Sequence, residues 1–553
     1  MSLNDTFEKS TASTLLKLNE LGLTIPPWYT SLPLAAQIFV GSVASVALII
    51  GLNVFRQVAL PRNKSLPPLV FHYIPWFGSA AYYGEDPYKF FFECRDKYGD
   101  VFTFVMMGRK LTVALGPKGN NLSLGGKTSQ VRAEDAYTHL TTPVFGKGVV
   151  YDCPNDMLMQ QKKFIKSGLT TEALQSYPPL IDLECEEFFS HELGLSKGKR
   201  STVKVDLLKT MSELIILTAS RTLQGKEVRK GINGKFAQYY EDLDGGFTPL
   251  NFLFPNLPLP SYRRRDKAQK AMSDFYMKII EERKKGETDH ELDMIASLQG
   301  SVYKDGVPLT DRDISHIMIA LLMAGQHTSS ATSSWALLHL ADRPDILEAL
   351  YQEQIKYFGK SDGTLAPMTY ESIKELPLLD SVIRETLRMH APIHSIYRKV
   401  ISDIPVPPSL AAPSEQSSYV IPEGHFILAA PGVSQMDPRI WQNSKTWTPE
   451  RWLEEKGVGQ AAVETYTKSE QVDYGFGAVS KGTESPYQPF GAGRHRCVGE
   501  QFAYTQLSTI IAYIVRNFTM KLEVPSFPET NYRTMIVLPK NPQVSFTLRK
   551  QEV

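Results

Sequence analysis

Residues 489–504 read PFGAGRHRCVGEQFAY, and what this stretch can bind decides how the rest of the chain is understood. Gly491 and Gly493 let backbone come close to a flat ligand, and Cys497 stands just ahead of a helical pattern, Glu500 to Val515. At a helix N-terminus the macrodipole and the free N–H groups stabilise a thiolate, the form of cysteine that binds metal. Arg494, His495 and Arg496 place cationic groups and hydrogen-bond donors beside it. An isolated cysteine is ordinarily a buried packing residue. Here glycines, donors and a helix start converge on one thiol, so Cys497 is the candidate metal ligand.

The bulk properties agree with an intracellular enzyme of one large unit plus an appendage. The chain has 553 residues, 42% hydrophobic and 22% charged, with a formal net charge of +1. That balance offers no global field for nucleic acid, and short basic runs such as Arg263 to Arg265 read as solvated surface. Four cysteines, Cys94, Cys153, Cys185 and Cys497, are too few for a disulfide scaffold and suit a reducing compartment.

No charged residue lies between Glu20 and Arg56, and SLPLAAQIFVGSVASVALIIGLNVF fills residues 31–55. About 20 apolar residues span a bilayer as a helix, so a single membrane anchor is expected there, with Trp28 and Tyr29 at an interface. Lys9 and Lys17 precede the span among acids, and Arg56, Arg62 and Lys64 follow it. This places 1–30 in the lumen and the large domain in the cytosol. The sequon at Asn4 would then be lumenal. A proline-rich linker is expected over 56–75 and the catalytic domain over 76–553.

Beyond the linker, residues 86–98 have helical spacing, and VFTFVMMGRKLTVALG (101–116) reads as a hairpin around Gly108, Arg109 and Lys110. Long helical patterns dominate 156–356, a helix is expected over 377–389, and short strands follow from Tyr419 and His425. In ISHIMIALLMAGQHTSSATSSWALLHL (314–340), Thr310 and Asp313 form a capping pair, and small and hydroxylic residues in the middle can open the helical ladder. Glu385 and Arg388 share one helix face. Residues 133–164 read as a loop followed by strand or helix, with Tyr137 and Tyr151 in it.

The cysteine stretch resembles the haem loop of the cytochrome P-450 superfamily, whose pattern F-x-x-G-x-R-x-C-x-G is met at Phe490, Gly493, Cys497 and Gly499. His495 replaces the pattern's arginine, as it does in fungal sterol 14α-demethylases. The fold implied is mainly α with small β-sheets, the cytochrome P-450 fold, preceded by one transmembrane helix. Haem b is implied as cofactor, with Cys497 as the axial thiolate and Phe490, Gly491 and His495 around the ring. Glu385, Arg388 and Arg451 of TPERW resemble the superfamily's buried network that braces this loop.

Residues 133–164 resemble the substrate-recognition region of sterol 14α-demethylases, matching at Tyr137, Leu140, Pro143, Phe145, Gly146, Gly148, Val149, Tyr151 and Asp152. By that resemblance Tyr137, Tyr151, Lys162 and Arg398 would reach the haem propionates. Tyr137, Phe145, Tyr151, Phe247, Gly325, His394 and Ile396 would line the sterol site. Thr328 would support O2 activation and proton delivery, with His327 before it and Asp244 as that histidine's acidic partner. The resemblance also implies removal of the 14α-methyl group of lanosterol or 24-methylenelanosterol in ergosterol biosynthesis. Electrons would come from NADPH through a cytochrome reductase. Azole inhibitors, membrane lipid and a location in the endoplasmic reticulum membrane are further expectations of the family. Residues 457–487 form an insertion similar to that of fungal members.

Overall fold

The apolar run that no charge interrupts winds into helix α1, Leu34–Val58, whose most apolar window has mean hydropathy 2.3 and no buried share. It begins and ends three residues later than the expected 31–55. Prolines set both limits: Pro33 disfavours helical backbone at Leu32, and Pro61 does the same at Leu60. The computed structural model describes residues 26–196, 198–286, 292–410, 418–467 and 481–549. The expectations for 1–25, including Lys9, Lys17 and the Asn4 sequon, and for 468–480 of the insertion lie outside these residues. The chain divides into two units. One comprises residues up to 63 together with 71–78, and the other comprises 64–70 and everything from 79.

In the second unit the linker turns at Lys64 and Ser65, and its residues 68–70 are paired rather than free. Val70 N–H donates to the Thr103 carbonyl at 2.7 Å, and Thr103 N–H donates to that of Pro68 at 2.8 Å. Helix α2, Pro87–Tyr98, starts on Asp86, which accepts from Lys89 N–H, and has proline at its first turn. The hairpin follows: β1, Val101–Met106, pairs antiparallel with β2, Arg109–Ala114. Its two-residue turn, Met107 and Gly108, has φ of +50° and +77°, the left-handed geometry that matches strand twist. With β3 (Val131–Arg132), β4 (Ile396–Val400) and β5 (Phe426–Ala429) they form a sheet of order β1-β2-β5-β4-β3, in which only β2–β5 is parallel. A three-stranded sheet joins Thr202–Asp206, Gln543–Leu548 and Phe518–Leu522.

The helices that matter for the site are α3 (Glu134–Phe145), α4 (Asn155–Gly168), α5 (Gly234–Asp244), α6 (Asp311–Asp342), α7 (Pro377–Met389) and α8 (Glu500–Asn517). Residues 134–145, left open between strand and helix by periodicity, are thus helical. Helix α6 starts on the expected capping box: Asp313 N–H donates to Thr310 Oγ1 and Thr310 N–H to Asp313 Oδ2. Met318, Ile319, Leu322, Trp335, Leu337 and Leu338 are buried on several sides, because helices Leu207–Ala219 and Pro260–Lys284 pack against α6 along with α7 and α8. Each such side chain contributes about 1.5–3 kcal/mol by leaving water. The hydroxyls in the middle of α6 do not break the ladder. They fold back onto carbonyls four residues earlier: Thr328 onto Ala324, Thr332 onto Thr328 and Ser333 onto Ser329, each at 2.8 Å. All four cysteines are free thiols.

Candidate active site

Cys497 sits in a loop that its own backbone closes, with Cys497 N–H donating to the Phe490 carbonyl at 3.0 Å. Helix α8 starts three residues later, behind the N-cap Gly499. Gly493 has φ +68°, and a Cβ there would lie 2.1 Å from the Leu124 carbonyl oxygen, so both conformation and space require glycine. Ala492, Gly493 and Arg496 are buried, whereas Cys497 is accessible. Burial raises the pKa of the thiol, against the Gly499 N–H, Lys162 and Arg496, which pull it down. The helix start and cations expected to create a thiolate therefore do not suffice alone; a bound metal deprotonates such a thiol outright.

Three braces hold this loop. Lys162 of α4 donates to the carbonyls of Arg494 (3.1 Å) and Arg496 (2.7 Å). Arg496 pairs with Glu500 through both nitrogens of its fork, at 2.8 and 2.9 Å, and lies 3.7 Å over the Tyr466 ring. The Tyr466 hydroxyl donates to the Gly491 carbonyl at 2.8 Å. Tyr466 belongs to the described part of the insertion, and sequence reasoning gave it no role. Its nearest signal was its place in a helical pattern just ahead of the loop.

Further back is the expected Glu–Arg–Arg network. Arg388 Nη2 donates to Glu385 Oε1 at 2.8 Å and Arg388 Nε to Oε2 at 2.9 Å; Arg451 Nε donates to Oε1 at 3.0 Å. Glu385 and Arg388 are fully buried. Trp452 Nε1 supplies a further donor, to Glu385 Oε2 at 2.9 Å, and Thr448 N–H another at 3.0 Å. Five hydrogen bonds on one carboxylate leave no lone pair exposed to an apolar core.

The residues expected at the haem propionates gather in one place. Tyr137 stacks on Tyr151 with ring centroids 5.1 Å apart, and Tyr151 lies 6.1 Å from the His495 ring. The Tyr137 oxygen accepts from Tyr397 N–H at 2.9 Å, which leaves its own proton free to donate. Arg398, buried, donates to the Tyr397 carbonyl, and Arg494 to that of Gly126. Burial brings the Lys162 ammonium down to about 7, with Arg398 adding to the fall and Cys497 opposing it. Burial first, then Arg398, Lys162 and Arg494, holds His495 well below its ordinary value. The guanidiniums of Arg398 and Arg494 and the phenols of Tyr137 and Tyr151 around one buried place suit a dianionic group.

Along α6, accessible Ala324, Gly325 and Thr328 make a stripe among buried neighbours, and a Cβ on Gly325 would meet nothing within 4 Å. His327 Nε2 lies 2.8 Å from Asp244 Oδ1, the pairing expected from sequence. Tyr240, one turn before Asp244 on α5, was missed, although its spacing places both on one face. Its hydroxyl donates to Gln326 Oε1 at 2.8 Å and stands 3.1 Å from His327 Nε2. Phe145 packs on Phe247 at 5.4 Å. Ile396 belongs to a small apolar cluster with Leu124, Ala429 and Ala492. His394 lies instead among Tyr83, Tyr88 and Tyr532, bonded to Ser395, and burial brings it down to about 4.

The residues present therefore fit a haem. A thiol opens into the interior, small residues leave space on α6, glycines allow close approach, and cations and phenols suit two carboxylates. The family model described as Cytochrome P450 matches residues 67–546. A lanosterol 14-alpha demethylase of Mycosarcoma maydis is 56% identical over 506 residues, 89% of this chain and 90% of that protein. A lanosterol 14-alpha demethylase of Candida tropicalis is 48% identical over 492 residues, covering 89% and 91%. Among solved structures, a retinoic acid bound cyanobacterial CYP120A1 superimposes with TM-score 0.71 at 20% identity, over 88% of this chain and all of that one, which speaks to the fold alone. With the cysteine loop, its buried Glu–Arg–Arg brace and the family match coinciding over the same residues, the chain belongs to the cytochrome P450 family and is a haem-thiolate monooxygenase.

Proposed function

We propose that the chain removes the 14α-methyl group of lanosterol or 24-methylenelanosterol in three O2- and NADPH-dependent oxidations, within ergosterol biosynthesis. The methyl becomes an alcohol, then an aldehyde, and leaves as formate with a 14,15 double bond in the sterol. Haem, bound through Cys497, supplies the oxygen-activating chemistry, with electrons from NADPH through a membrane-bound reductase. Tyr137, Tyr151, Lys162, Arg398 and His495 would hold its propionates, and Phe490 and Gly491 would flank its ring.

The observation that carries the reading is the Asp244–His327 pair next to Thr328 on α6. Asp244 is 46% exposed and His327 26%, so water reaches the acid while the imidazole hands protons inward. The Thr328 hydroxyl, resting on the Ala324 carbonyl, is placed to pass a proton on by rotating about its Cα–Cβ bond. Phe145, Phe247 and Ile396 offer apolar surface for a four-ring hydrocarbon, with Gly325 leaving room above α6. Tyr137 and Tyr151 would add polar edges to that wall. An anchor at α1, in the endoplasmic reticulum membrane with the catalytic unit cytosolic, suits a substrate dissolved in lipid. An azole nitrogen competing for the same metal position would make the enzyme an azole target.

The test is turnover of lanosterol by the full chain with NADPH and a membrane reductase, analysed by mass spectrometry. A 14-demethylated sterol with stoichiometric formate is expected, and none from Cys497→Ala. NADPH-dependent hydroxylation elsewhere on the sterol, with the 14α-methyl retained, would overturn the reading.

A further inference from the structure

The Asp244–His327 pair has a third neighbour, and the hydrogen bonds that reach it run in one direction. Tyr240 of α5 touches two adjacent residues of α6: its oxygen lies 2.8 Å from Gln326 Oε1 and 3.1 Å from His327 Nε2. The direction is set at a backbone carbonyl. Gln326 Nε2 faces the Ser212 carbonyl oxygen at 3.4 Å, on helix Leu207–Ala219. A carbonyl only accepts, so the carboxamide turns its nitrogen to Ser212 and its oxygen to Tyr240. Tyr240 spends its one proton on that oxygen and shows His327 a lone pair. Burial first, and Asp244 next, push the phenol well above its ordinary range, so it keeps the proton. Gln326 and Tyr240 are buried, whereas Asp244 is half open to water. His327 Nε2 thus lies between an acceptor fixed in the core and a carboxylate that solvent reaches.

We propose that Tyr240, oriented by Gln326 and the Ser212 carbonyl, is a positioning residue that keeps a hydrogen on His327 Nε2, so that the proton the relay passes on is the one on Nδ1. The inference rests on the Asp244–His327 relay and deepens it by naming the atoms. The hydrogen between His327 Nε2 and Asp244 Oδ1, 2.8 Å apart, has two resting places, the imidazole and the carboxylate. Transfer to Asp244 would leave the Nε2 lone pair facing the Tyr240 lone pair at 3.1 Å, two acceptors with no proton between them. The phenol therefore holds the hydrogen on the ring. In an imidazole the bond made at one nitrogen fixes what the other can do. The imidazolium gives its Nδ1 proton inward and remains as the neutral Nε2–H form, with both bonds at Nε2 kept. A proton from the water beside Asp244 then returns to Nδ1, and the carboxylate balances the charge that it restores. Tyr240→Phe keeps the ring and removes only the lone pair.

Nitrogen NMR of the full chain, carrying isotope-labelled histidine, tests this directly. The protein is reduced and bound to carbon monoxide so that the iron is diamagnetic, and His327→Gln identifies the His327 signals among the 11 histidines. With the ring neutral, the parent should hold its hydrogen on Nε2. In Tyr240→Phe the ratio of Nε2–H to Nδ1–H should fall about fivefold, the equivalent of one hydrogen bond. Gln326→Leu, which frees the phenolic proton to turn toward Nε2, should lower the ratio at least as far. Demethylation by Tyr240→Phe should drop about fivefold in kcat, with KM for lanosterol and the haem content unchanged. An unaltered ratio in Tyr240→Phe overturns this inference and leaves the relay standing. A loss confined to KM or haem content overturns it too, because that is what a merely structural tyrosine would give. Asp244→Asn turning over at the parent's rate overturns the relay, and the role of Tyr240 with it, whatever the NMR ratio.

Discussion

His327 Nε2 faces Asp244 Oδ1 at 2.8 Å, and the Tyr240 oxygen, whose proton goes to Gln326, stands 3.1 Å from the same nitrogen. A helix interior residue on α6 is thus tied to two residues one turn apart on α5. The acid is half open to water, which suits the proton relay proposed for this pair better than a buried stabilising contact.

Asp244→Asn and His327→Gln should each lower turnover about tenfold, and the double variant should fall no further than either single one. Demethylation rates of the four proteins complete the cycle. Multiplying losses would show that the pair does not act as a unit.

Thr328→Ala removes a hydroxyl that donates to the Ala324 carbonyl of its own helix, so the fold should stand. The red-shifted carbon monoxide band of the reduced protein should persist while sterol product formed per NADPH consumed drops about tenfold or more. An unchanged product-to-NADPH ratio would take Thr328 out of proton delivery.

Breaking the buried carboxylate's network should be severe. Glu385→Gln leaves the Arg388 and Arg451 guanidiniums inside without their counter-charge, at a cost of about 3–5 kcal/mol. Denaturant unfolding of the variant against the parent measures it. A loss under about 1 kcal/mol would mean that water already reaches the network.

Tyr466 separates structural from electrostatic support of the cysteine loop. Tyr466→Phe keeps the ring under Arg496 but loses the bond to the Gly491 carbonyl, while Tyr466→Leu loses both. Conversion of the thiolate-ligated form to its inactive, shorter-wavelength form on mild heating should quicken in the order parent, Phe, Leu, with about 1 kcal/mol for each lost contact. Identical conversion rates would show that the insertion does not hold the loop.

Acid should destabilise the fold through a buried histidine pair. His339 and His390 share one hydrogen bond, Nε2 to Nε2 at 2.9 Å, each ring stacked on an indole, Trp447 and Trp335. Burial, then Arg388, lowers His390 to about 3, so the folded state needs it neutral. An unfolded histidine titrates near about 6.5, so stability is complete above that pH and falls as pH drops toward 3. At pH 5 the loss from His390 is about 2 kcal/mol. Urea midpoints at pH 7 and pH 5 should differ less for His390→Gln than for the parent; equal differences would exclude this pair as the source.

What could be read without coordinates was local. The thiol, glycines and donors of 489–504, the Thr310–Asp313 box and the hairpin over 101–116 each depend on residue types at fixed spacing within one element, although the hairpin's turn falls at Met107–Gly108 rather than over Gly108 to Lys110. Helix and turn geometry follow from such spacing alone. Tertiary structure decided what spacing cannot encode. It made helix of 134–145, brought Tyr466 under Arg496, added Trp452 and Thr448 to Glu385, and set Lys162 on the carbonyls of Arg494 and Arg496, contacts that the expected propionate role did not include. It also paired 68–70 with β1 and pinned 71–78 to Asn53 and Gln57. In each case the partner lies on another element, and which partner a buried polar group finds depends on how the elements pack, since burial itself is what compels the bond.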